Sequence, residues 1–218
     1  MLAHLDALPG SIFLDMFSDS RVSNVPLSSL ADIGSGITKG RRTAEPTLQV
    51  PYLAVANVQA GKLELDTVKG ITATRSEIER YRLRSGDLVL TEGGDPDKLG
   101  RGTVWRDELP LCIHQNHIFK VRIRDDVQVL PDYLAGYMAS RGARSYFLRC
   151  AKQTTGIASI NATQLRALPV RVPPIAEQRT YLARTAAVAR QRAVVACSQA
   201  RADGLFGSLQ SRAFRGEL

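Results

Sequence analysis

Five charged side chains crowd the stretch LTEGGDPDKLGRG, residues 90–102, in a pattern that could form an active site. They are Glu92, Asp95, Asp97, Lys98 and Arg101. Carboxylates hold Mg²⁺ in metal-dependent nucleases, but a nuclease of the PD-(D/E)xK type also needs a carboxylate followed by x-Lys on a strand. Here Asp97 and Lys98 are adjacent, and the next acids, at 107–108, lead into a Leu-Pro pair. The spacing argues against a nuclease.

A DNA amino-methyltransferase is the second enzyme to test against these residues. Such an enzyme has an Asp-Pro-Pro-aromatic turn. The corresponding residues here are Asp95-Pro96-Asp97-Lys98, which lack the second proline and the aromatic side chain. A glycine-rich cofactor loop could be sought at Asp32-x-Gly34-x-Gly36, yet a helix should follow such glycines. The segment that follows, ITKGRRTAEP, is polar and ends in proline, and no P-loop motif is present.

Metal binding is also disfavoured by the sequence. His114 and His117 lie in the strand-like run CIHQNHIF, where residues three apart face opposite sides, so one metal could not easily bind both. The three cysteines, Cys112, Cys150 and Cys197, are widely spaced, which fits reduced thiols and excludes a CxxC metal site or a disulfide framework. We therefore predict no metal ion and no catalytic residue in this chain.

The secondary-structure elements that must position these residues are predicted to include both helices and strands. Residues 1–20 carry the apolar stripe of a short amphipathic helix. Strand-like runs lie at 48–58, 87–91, 101–105 and 112–123, and helical segments are expected at 131–150, broken near Gly142, and at 163–167. The sequence predicts an α+β fold with a strand-rich globular domain over residues 21–172.

A long helix is predicted for the third segment, residues 173–218. It begins after Pro173 and Pro174, which a first helical turn tolerates, and continues to Phe214 without a further proline. Within it, six positions follow a 4-3-4-3-4 spacing, typical of a coiled-coil seam for pairing with another helix. They are Leu182, Ala186, Ala189, Ala193, Ala196 and Ala200.

A repeat joins the two ends of the chain. LDALPGSIFLDMF at 5–17 aligns without gaps on ADGLFGSLQSRAF at 202–214, at an offset of 197 residues. The identical pairs are Asp6/Asp203, Leu8/Leu205, Gly10/Gly207, Ser11/Ser208 and Phe17/Phe214. The same helical phrase before and after a domain suggests one unit of a tandem array.

The charge balance favours a polyanionic partner. The chain has 29 Lys and Arg against 21 Asp and Glu, a formal net charge of +8, which favours DNA or RNA over a membrane surface. GSGITKGRR at 34–42 offers basic residues on a glycine-rich loop, and CAKQTTGIASIN at 150–161 offers amides and hydroxyls. Such groups suit base edges and phosphates, but they also occur in solvated polar turns.

The chain resembles the specificity subunit of type I restriction–modification systems over nearly its whole length. The phrases that carry the likeness, in order, are VPLSSLADIGSGITKGRR, PYLAVANVQAGKLELDTVK, YRLRSGDLVLTEGGDPDKLGRGTVW, HQNHIFKVR, AKQTTGIASINATQLRALPVRVPPIAEQ and LFGSLQSRAFRGEL. The usual family chain has two target recognition domains and two long helices. This chain has one of each, so it resembles a half-length subunit or an excised second half.

The resemblance implies a non-catalytic DNA-binding subunit that reads one half of a bipartite double-stranded target. It implies that the long helix recruits modification subunits, which would hold S-adenosylmethionine, so that this chain needs no cofactor. Further implied partners are a restriction subunit, where the system has one, and a second copy bound through the long helix. We expect a cytoplasmic protein with no membrane contact. The alternative is a catalytic DNA-modifying enzyme, a methyltransferase or nuclease fragment.

Thirteen residues are predicted to contact DNA. They are Lys39, Arg41, Arg42, Lys98, Arg101, Gln115, Asn116, Lys152, Gln153, Thr154, Thr155, Ser159 and Asn161. In the 90–102 loop, Glu92 and Asp95 could accept hydrogen bonds from cytosine amino groups or could brace Lys98 and Arg101. We favour bracing and predict a strand–turn–strand link.

Overall fold

The structure is a computed structural model, and it describes residues 2–18, 23–95, 99–154 and 157–216. The α+β fold predicted from the sequence is confirmed, with a short N-terminal helix and a long C-terminal helix around a strand-rich domain. The helices are α1 (Leu2–Phe17), α2 (Arg75–Tyr81), α3 (Pro131–Met138), α4 (Arg141–Cys150), α5 (Ala162–Arg166) and α6 (Ile175–Phe214). Within the described ranges, no helix is both long enough and apolar enough to cross a bilayer.

The strands are short. In chain order they are β1 (Asn24–Pro26), β2 (Ala31–Ser35), β3 (Leu48–Leu53), β4 (Val58–Gln59), β5 (Lys62–Leu63), β6 (Lys69–Ala73), β7 (Leu88–Thr91), β8 (Gly93–Gly94), β9 (Gly102–Val104), β10 (Ile113–His114), β11 (Ile118–Ile123), β12 (Lys152–Thr154), β13 (Ile157–Ser159) and β14 (Pro169–Arg171). Three sheets matter for the site, with strand orders β2-β11-β7-β9, β10-β3-β6 and β12-β13-β8.

The four-stranded antiparallel sheet forms the centre of the domain and is buried on both faces. In β7, Leu88 and Leu90 join the core that the helices cover, whereas Val89, between them, joins a second core with Trp105 and Ile118. This alternation follows from the two-residue period of a strand. Because both faces are covered, all four residues of β7 are buried.

The predicted helix at 131–150 is two helices, and the break differs slightly from the expected one. We predicted it near Gly142, but α3 ends at Met138 and α4 begins at Arg141. Ser140 stops the first helix and starts the second, because its side chain accepts a hydrogen bond from the Ala143 amide at 3.3 Å. The signal for the break was therefore the N-cap serine.

The long helix α6 is joined to the domain by a buried glutamine. Gln178 is fully buried, and its amide nitrogen donates to the carbonyls of Gln128 and Pro173, each at 2.9 Å. Its amide oxygen accepts from the Leu130 amide at 2.9 Å. These three bonds satisfy the buried side chain and fix the direction in which α6 leaves the domain. The helix has 40 residues, which corresponds to about 60 Å.

The short helix α1 packs against the first half of α6 and against α3. Phe13 and Phe17 are buried among three tyrosines, Tyr133, Tyr137 and Tyr181, which we call the tyrosine cluster. The ring centroids of Phe13 lie 5.5–6.0 Å from those of all three tyrosines. Aromatic pairs at this distance add to the stabilisation that burial provides.

The helix-pairing positions predicted on α6 lie beside the face that α1 covers. Leu182 packs partly against the core and Ala196 is half-buried. The other four, Ala186, Ala189, Ala193 and Ala200, are exposed. Pairing through this alanine seam stays a prediction.

Candidate nucleic-acid interface

The 90–102 stretch ends one strand, adds a short second strand and leads into a third. After β7, the two glycines of β8 pair with β13, so that Gly93 lies opposite Ser159 and Gly94 opposite Ala158. A Cβ atom on Gly93 would lie 2.9 Å from the Ala158 carbonyl oxygen, so this close approach requires glycine. The stretch therefore holds the β12–β13 hairpin in place, which sequence inspection had treated as a polar loop.

Backbone hydrogen bonds join this sheet to two further loops. The Glu92 amide donates to the His117 carbonyl and the Ile160 amide to the Glu92 carbonyl, both at 3.0 Å. The Ile37 amide donates to the His114 carbonyl at 2.8 Å, and the Asn116 amide donates back to the Ile37 carbonyl at 3.0 Å. Four segments that are distant in sequence thus form one continuous surface. We call the described residues 36–42, 92–95, 115–117, 152–154 and 157–159 the four-loop surface.

Several predicted DNA-contacting residues lie on this surface and are accessible. Lys39, Arg42 and Lys152 are exposed, and the Lys39 ammonium lies 5.1 Å from the centroid of the Tyr52 ring. Gln115, Asn116 and Ser159 are half-buried. The last three are positioned by their backbones, which pair with neighbouring strands and loops.

Arg41, predicted to contact DNA, is hydrogen-bonded within the chain. Its Nε and Nη2 atoms donate to both carboxylate oxygens of Glu77, and Nη2 also donates to the Thr72 carbonyl at 3.0 Å. Glu77 in turn completes the capping box of α2 by accepting from the Thr74 amide at 2.8 Å. The hydrogen bonds from Arg41, more than any other cause, lower the pKa of Glu77 to about 2. Arg41 therefore braces the start of α2 from the edge of the surface.

Asn161 also has a structural partner. It is the N-cap of α5, because its side chain accepts from the Gln164 amide at 2.9 Å while the Gln164 side chain accepts from the Asn161 amide at 2.8 Å. Such a cap contributes about 1 kcal/mol to stability. A structural role, which the sequence left open for these polar residues, is therefore found at Asn161.

Arg101 faces inward in part. It lines a cavity of about 240 Å³ together with Leu99 and Met138. Its Nε atom is buried, and the part of the chain that the structure describes offers it no hydrogen-bond partner. Lys98 and Thr155 lie outside the described residues, as do the side chains of Gln153 and Thr154, so these predictions are untested.

Glu92 has a partner that the sequence did not predict. Its carboxylate accepts at 2.9 Å from Nδ1 of His117, which is 58% exposed. We had expected Glu92 to face a DNA base or to brace Lys98 and Arg101. The missed signal was His117 itself, because it lies in the turn between β10 and β11, directly before the first residue of β11.

His114 and His117 do point to different environments, as the strand pattern predicted. His114 is fully buried, and its Nδ1–H donates to the Tyr81 carbonyl at 3.0 Å. Burial, with the nearby Lys120 ammonium, lowers the pKa of His114 to about 4. Across the described ranges, no group of three His, Cys, Asp or Glu side chains is arranged to hold a metal ion.

The buried imidazole predicts an acid-dependent loss of stability. An unfolded chain binds a proton to histidine near pH 6.5, whereas the folded chain excludes it down to about pH 4. The unfolded state then binds more protons, so the free energy of unfolding should fall by about 2 kcal/mol between pH 7 and pH 5. Urea denaturation at each pH should show this slope, and His114→Gln should remove it. His4→Gln, at an exposed histidine, should leave it unchanged, and an equal slope in both variants would contradict this assignment.

One glycine of Asp32-x-Gly34-x-Gly36, Gly36, has a packing explanation. Residues 31–35 form strand β2 of the central sheet, and the chain then runs into an isolated bridge between Ile37 and Gln115. A Cβ atom on Gly36 would lie 1.9 Å from the His114 carbonyl oxygen. The element that follows is a bridge and a loop, so the helix N-terminus that a phosphate or cofactor would need does not follow these glycines.

Comparison with curated proteins finds type I restriction specificity subunits. The chain is 27% identical over 199 residues to the type I restriction enzyme EcoKI specificity subunit of Escherichia coli K12, a match that covers 88% of this chain and 42% of that subunit. It is 25% identical over 176 residues to the StySPI specificity subunit of Salmonella potsdam, covering 78% and 38%. The chain spans about two fifths of the length of these relatives. No protein-family model matches it.

Solved structures show the same fold. The HsdS subunit from Thermoanaerobacter tengcongensis superposes with a TM-score of 0.62 at 18% identity, over all of this chain and 52% of that one. A chain from a structure of complex assembly and conformational transition in a type I R-M system gives a TM-score of 0.69 at 18% identity, over all of this chain and 53% of that one. The resemblance predicted from the sequence is confirmed by both comparisons.

Proposed function

We propose that this chain, a relative of the type I restriction specificity subunits, is the DNA-recognition component of a type I restriction–modification complex. In this proposal the domain over residues 21–172 reads one half of a bipartite double-stranded target. The observation that carries it is the four-loop surface, whose hydrogen-bonded segments carry exposed Lys39, Arg42 and Lys152 and half-buried Gln115, Asn116 and Ser159. Cations hold phosphates, and amides and hydroxyls can address base edges.

The chemistry would be carried out by other subunits. The modification subunits would bind S-adenosylmethionine and methylate adenine, while this chain holds them and the DNA in register. The features of the chain itself that resembled catalytic motifs have structural explanations: Gly36 packs on a backbone carbonyl and Glu92 pairs with His117. As a DNA-binding subunit, the chain would work in the cytoplasm, with a restriction subunit where the system has one.

The direct test measures binding to a random-sequence DNA duplex by fluorescence anisotropy at several salt concentrations. The triple variant K39A/R42A/K152A should bind more weakly, and its slope of log affinity against log salt should fall by about 3, because each lost phosphate contact removes about 0.9. The unfolding midpoint should not change, since all three side chains are exposed.

A matched control separates local contact from net charge. K62A/R190A/R201A removes the same three charges at exposed positions away from the four-loop surface, and it should keep the wild-type salt slope. Equal losses of DNA affinity in the two triple variants would mean that DNA is attracted by the overall positive charge of the chain and not by the four-loop surface. The same samples test the enzyme alternative: turnover by the purified chain with S-adenosylmethionine or with Mg²⁺, in the absence of partners, would favour a catalytic fragment.

We further propose that two copies pair through α6. A single recognition domain reads half a target, and an antiparallel pair of α6 helices would supply two domains related by a two-fold axis. The target would then be an interrupted palindrome. The exposed alanines at 186, 189, 193 and 200 support this pairing, because small side chains let helix backbones approach closely. The same helix would recruit the modification subunits.

A further inference from the structure

Helix α1 covers one face of α6 in an antiparallel arrangement. Asp15 lies 3.7 Å from Arg184, and Asp6 is hydrogen-bonded to Arg192, so α1 runs backward as α6 runs forward. The covered face of α6 is marked by Tyr181, which is buried, and by half-buried residues at 185, 188 and 195. These positions follow a 4-3-4-3 spacing when 192 is included, which is the pattern of a helix-pairing face.

The far end of α6 repeats part of the sequence of α1, but its residues 202–214 are exposed. Phe17 is 6% exposed in the tyrosine cluster, whereas the matching Phe214 is 85% exposed. Leu205 and Phe206 are 64% and 69% exposed. The first of the two related segments is therefore packed on the domain, whereas its counterpart at the far end of α6 is exposed to solvent. Exposed apolar side chains in such a row mark an interaction site.

We infer that residues 202–214 of a second copy bind where α1 binds, so that α1 is an internal competitor for self-pairing. The repeat fixes the register: Phe214 of the second copy would contact Tyr181, and its Asp203 would contact Arg192. Because a two-fold relation makes the contact reciprocal, the two α6 helices would then pair antiparallel from residue 181 to residue 214. The helix ends at Phe214, so its length matches this register.

The two occupants differ at positions that favour α1. Phe13, which contacts all three tyrosines, corresponds to Gln210, and Asp15, beside Arg184, corresponds to Arg212. The phrase from a second copy would therefore lose an aromatic ring and place a cation next to a cation. In addition, α1 is part of the same chain and is present at a high effective concentration. Self-pairing in this register would require α1 to leave the tyrosine cluster, whereas the exposed alanines of α6 lie beside the face that α1 covers.

This inference deepens the self-pairing part of the proposed function and is independent of DNA binding. Sedimentation equilibrium of the full chain with the substitutions Q210F/R212D tests it, because these give the second copy's phrase the side chains that α1 uses. The dimer dissociation constant should fall at least about tenfold, which corresponds to about 1.4 kcal/mol. F13Q, which weakens α1 in the cluster, should shift the equilibrium the same way.

The matched control is S208F/R201D, which makes the same kinds of change on α6. Ser208 corresponds to Ser11, an exposed residue of α1, so the added ring would point away from the pairing face. This control should keep the wild-type dissociation constant. An equal gain in the control, or no gain in Q210F/R212D while its circular dichroism is unchanged, would overturn the inference. Random-duplex binding measured on the same samples reports separately on the proposed DNA recognition.

A deletion of residues 2–18 gives a second readout. It empties the face that α1 covers, so the deleted chain should form a discrete dimer at lower concentration than the full chain. A folded deletion variant that stays monomeric at every concentration would overturn both the competition and the α6 self-pairing on which it rests. DNA binding retained in that monomer would leave the recognition proposal standing.

Discussion

Replacing Gly36 with alanine should lower the free energy of unfolding by about 3 kcal/mol or more. A Cβ atom there would lie 1.9 Å from the His114 carbonyl oxygen and 2.7 Å from that of Gln115. Both obstacles are backbone atoms of a buried strand, so relief requires the chain at 36–38 to move away, with overpacking costs at the upper end of the usual range. The hydrogen bond from the Ile37 amide to His114 would be lost.

Gly34→Ala is the control for this prediction. Gly34 lies two residues earlier, inside strand β2, and a Cβ atom there meets nothing within 4 Å. Urea denaturation should show little change for Gly34→Ala, and DNA affinity should fall only for Gly36→Ala, because the loop carrying Lys39 and Arg42 starts at residue 36. If the two variants were equally stable, the close approach of β2's end to His114 would not be a constraint on the fold.

The second large effect is expected at Asp87. This carboxylate is 1% exposed and accepts from Nε and Nη2 of Arg122 at 2.7 and 2.6 Å, and from the Arg84 amide at 2.7 Å. The hydrogen bond to Asp87 is also the main cause that raises the pKa of Arg122. Asp87→Ala would leave a guanidinium and a turn amide without their acceptor. We expect the free energy of unfolding to fall by about 3 kcal/mol. This is the lower end of the cost of breaking a buried ion pair, because the Arg122 side chain is 30% exposed and partly solvated.

Asp32→Ala serves as the comparison for Asp87. Asp32 also faces an arginine, Arg124, at 3.3 Å, but its side chain is 76% exposed. Surface pairs of this kind contribute about 0–1 kcal/mol, so the unfolding midpoint should barely change. Similar losses of stability in the two variants would show that the hydrogen bonds of Asp87 do not hold the 84–87 turn against β11.

The elements that the sequence predicted well are those with a strong periodic or capping signal. The runs at 87–91 and 101–105 became β7 and β9, and the proline pair at 173–174 marked the start of α6 to within one residue. Helix α2 was missed although Thr74 and Glu77 form a capping box, a signal readable in the sequence. Strand β2 was missed because Gly34 within it and Gly36 just after it suggested a loop.

The candidate site was harder to predict because its geometry depends on long-range pairing. The basic loop at 34–42 and the polar hairpin at 150–161 were found by composition, but nothing local indicates that Gly93 pairs with Ser159. The same limit applies to Arg41, whose partner Glu77 is 36 residues away. Composition can identify a residue that suits DNA, but it cannot show whether a carboxylate elsewhere in the chain has already engaged that residue.

The backbone hydrogen bonds that connect the segments of the four-loop surface have a consequence for how such a protein can evolve. The segments 36–42, 92–95, 115–117, 152–154 and 157–159 are connected mainly by amide-to-carbonyl bonds and strand pairing, which any residue except proline can make. Outward side chains such as Arg42 and Lys152 can therefore be exchanged while the scaffold keeps its shape. The exposed positions can therefore accept substitutions, whereas Gly36 and Gly93 cannot. A surface built in this way can acquire new preferences by single substitutions without first passing through an unfolded ancestor.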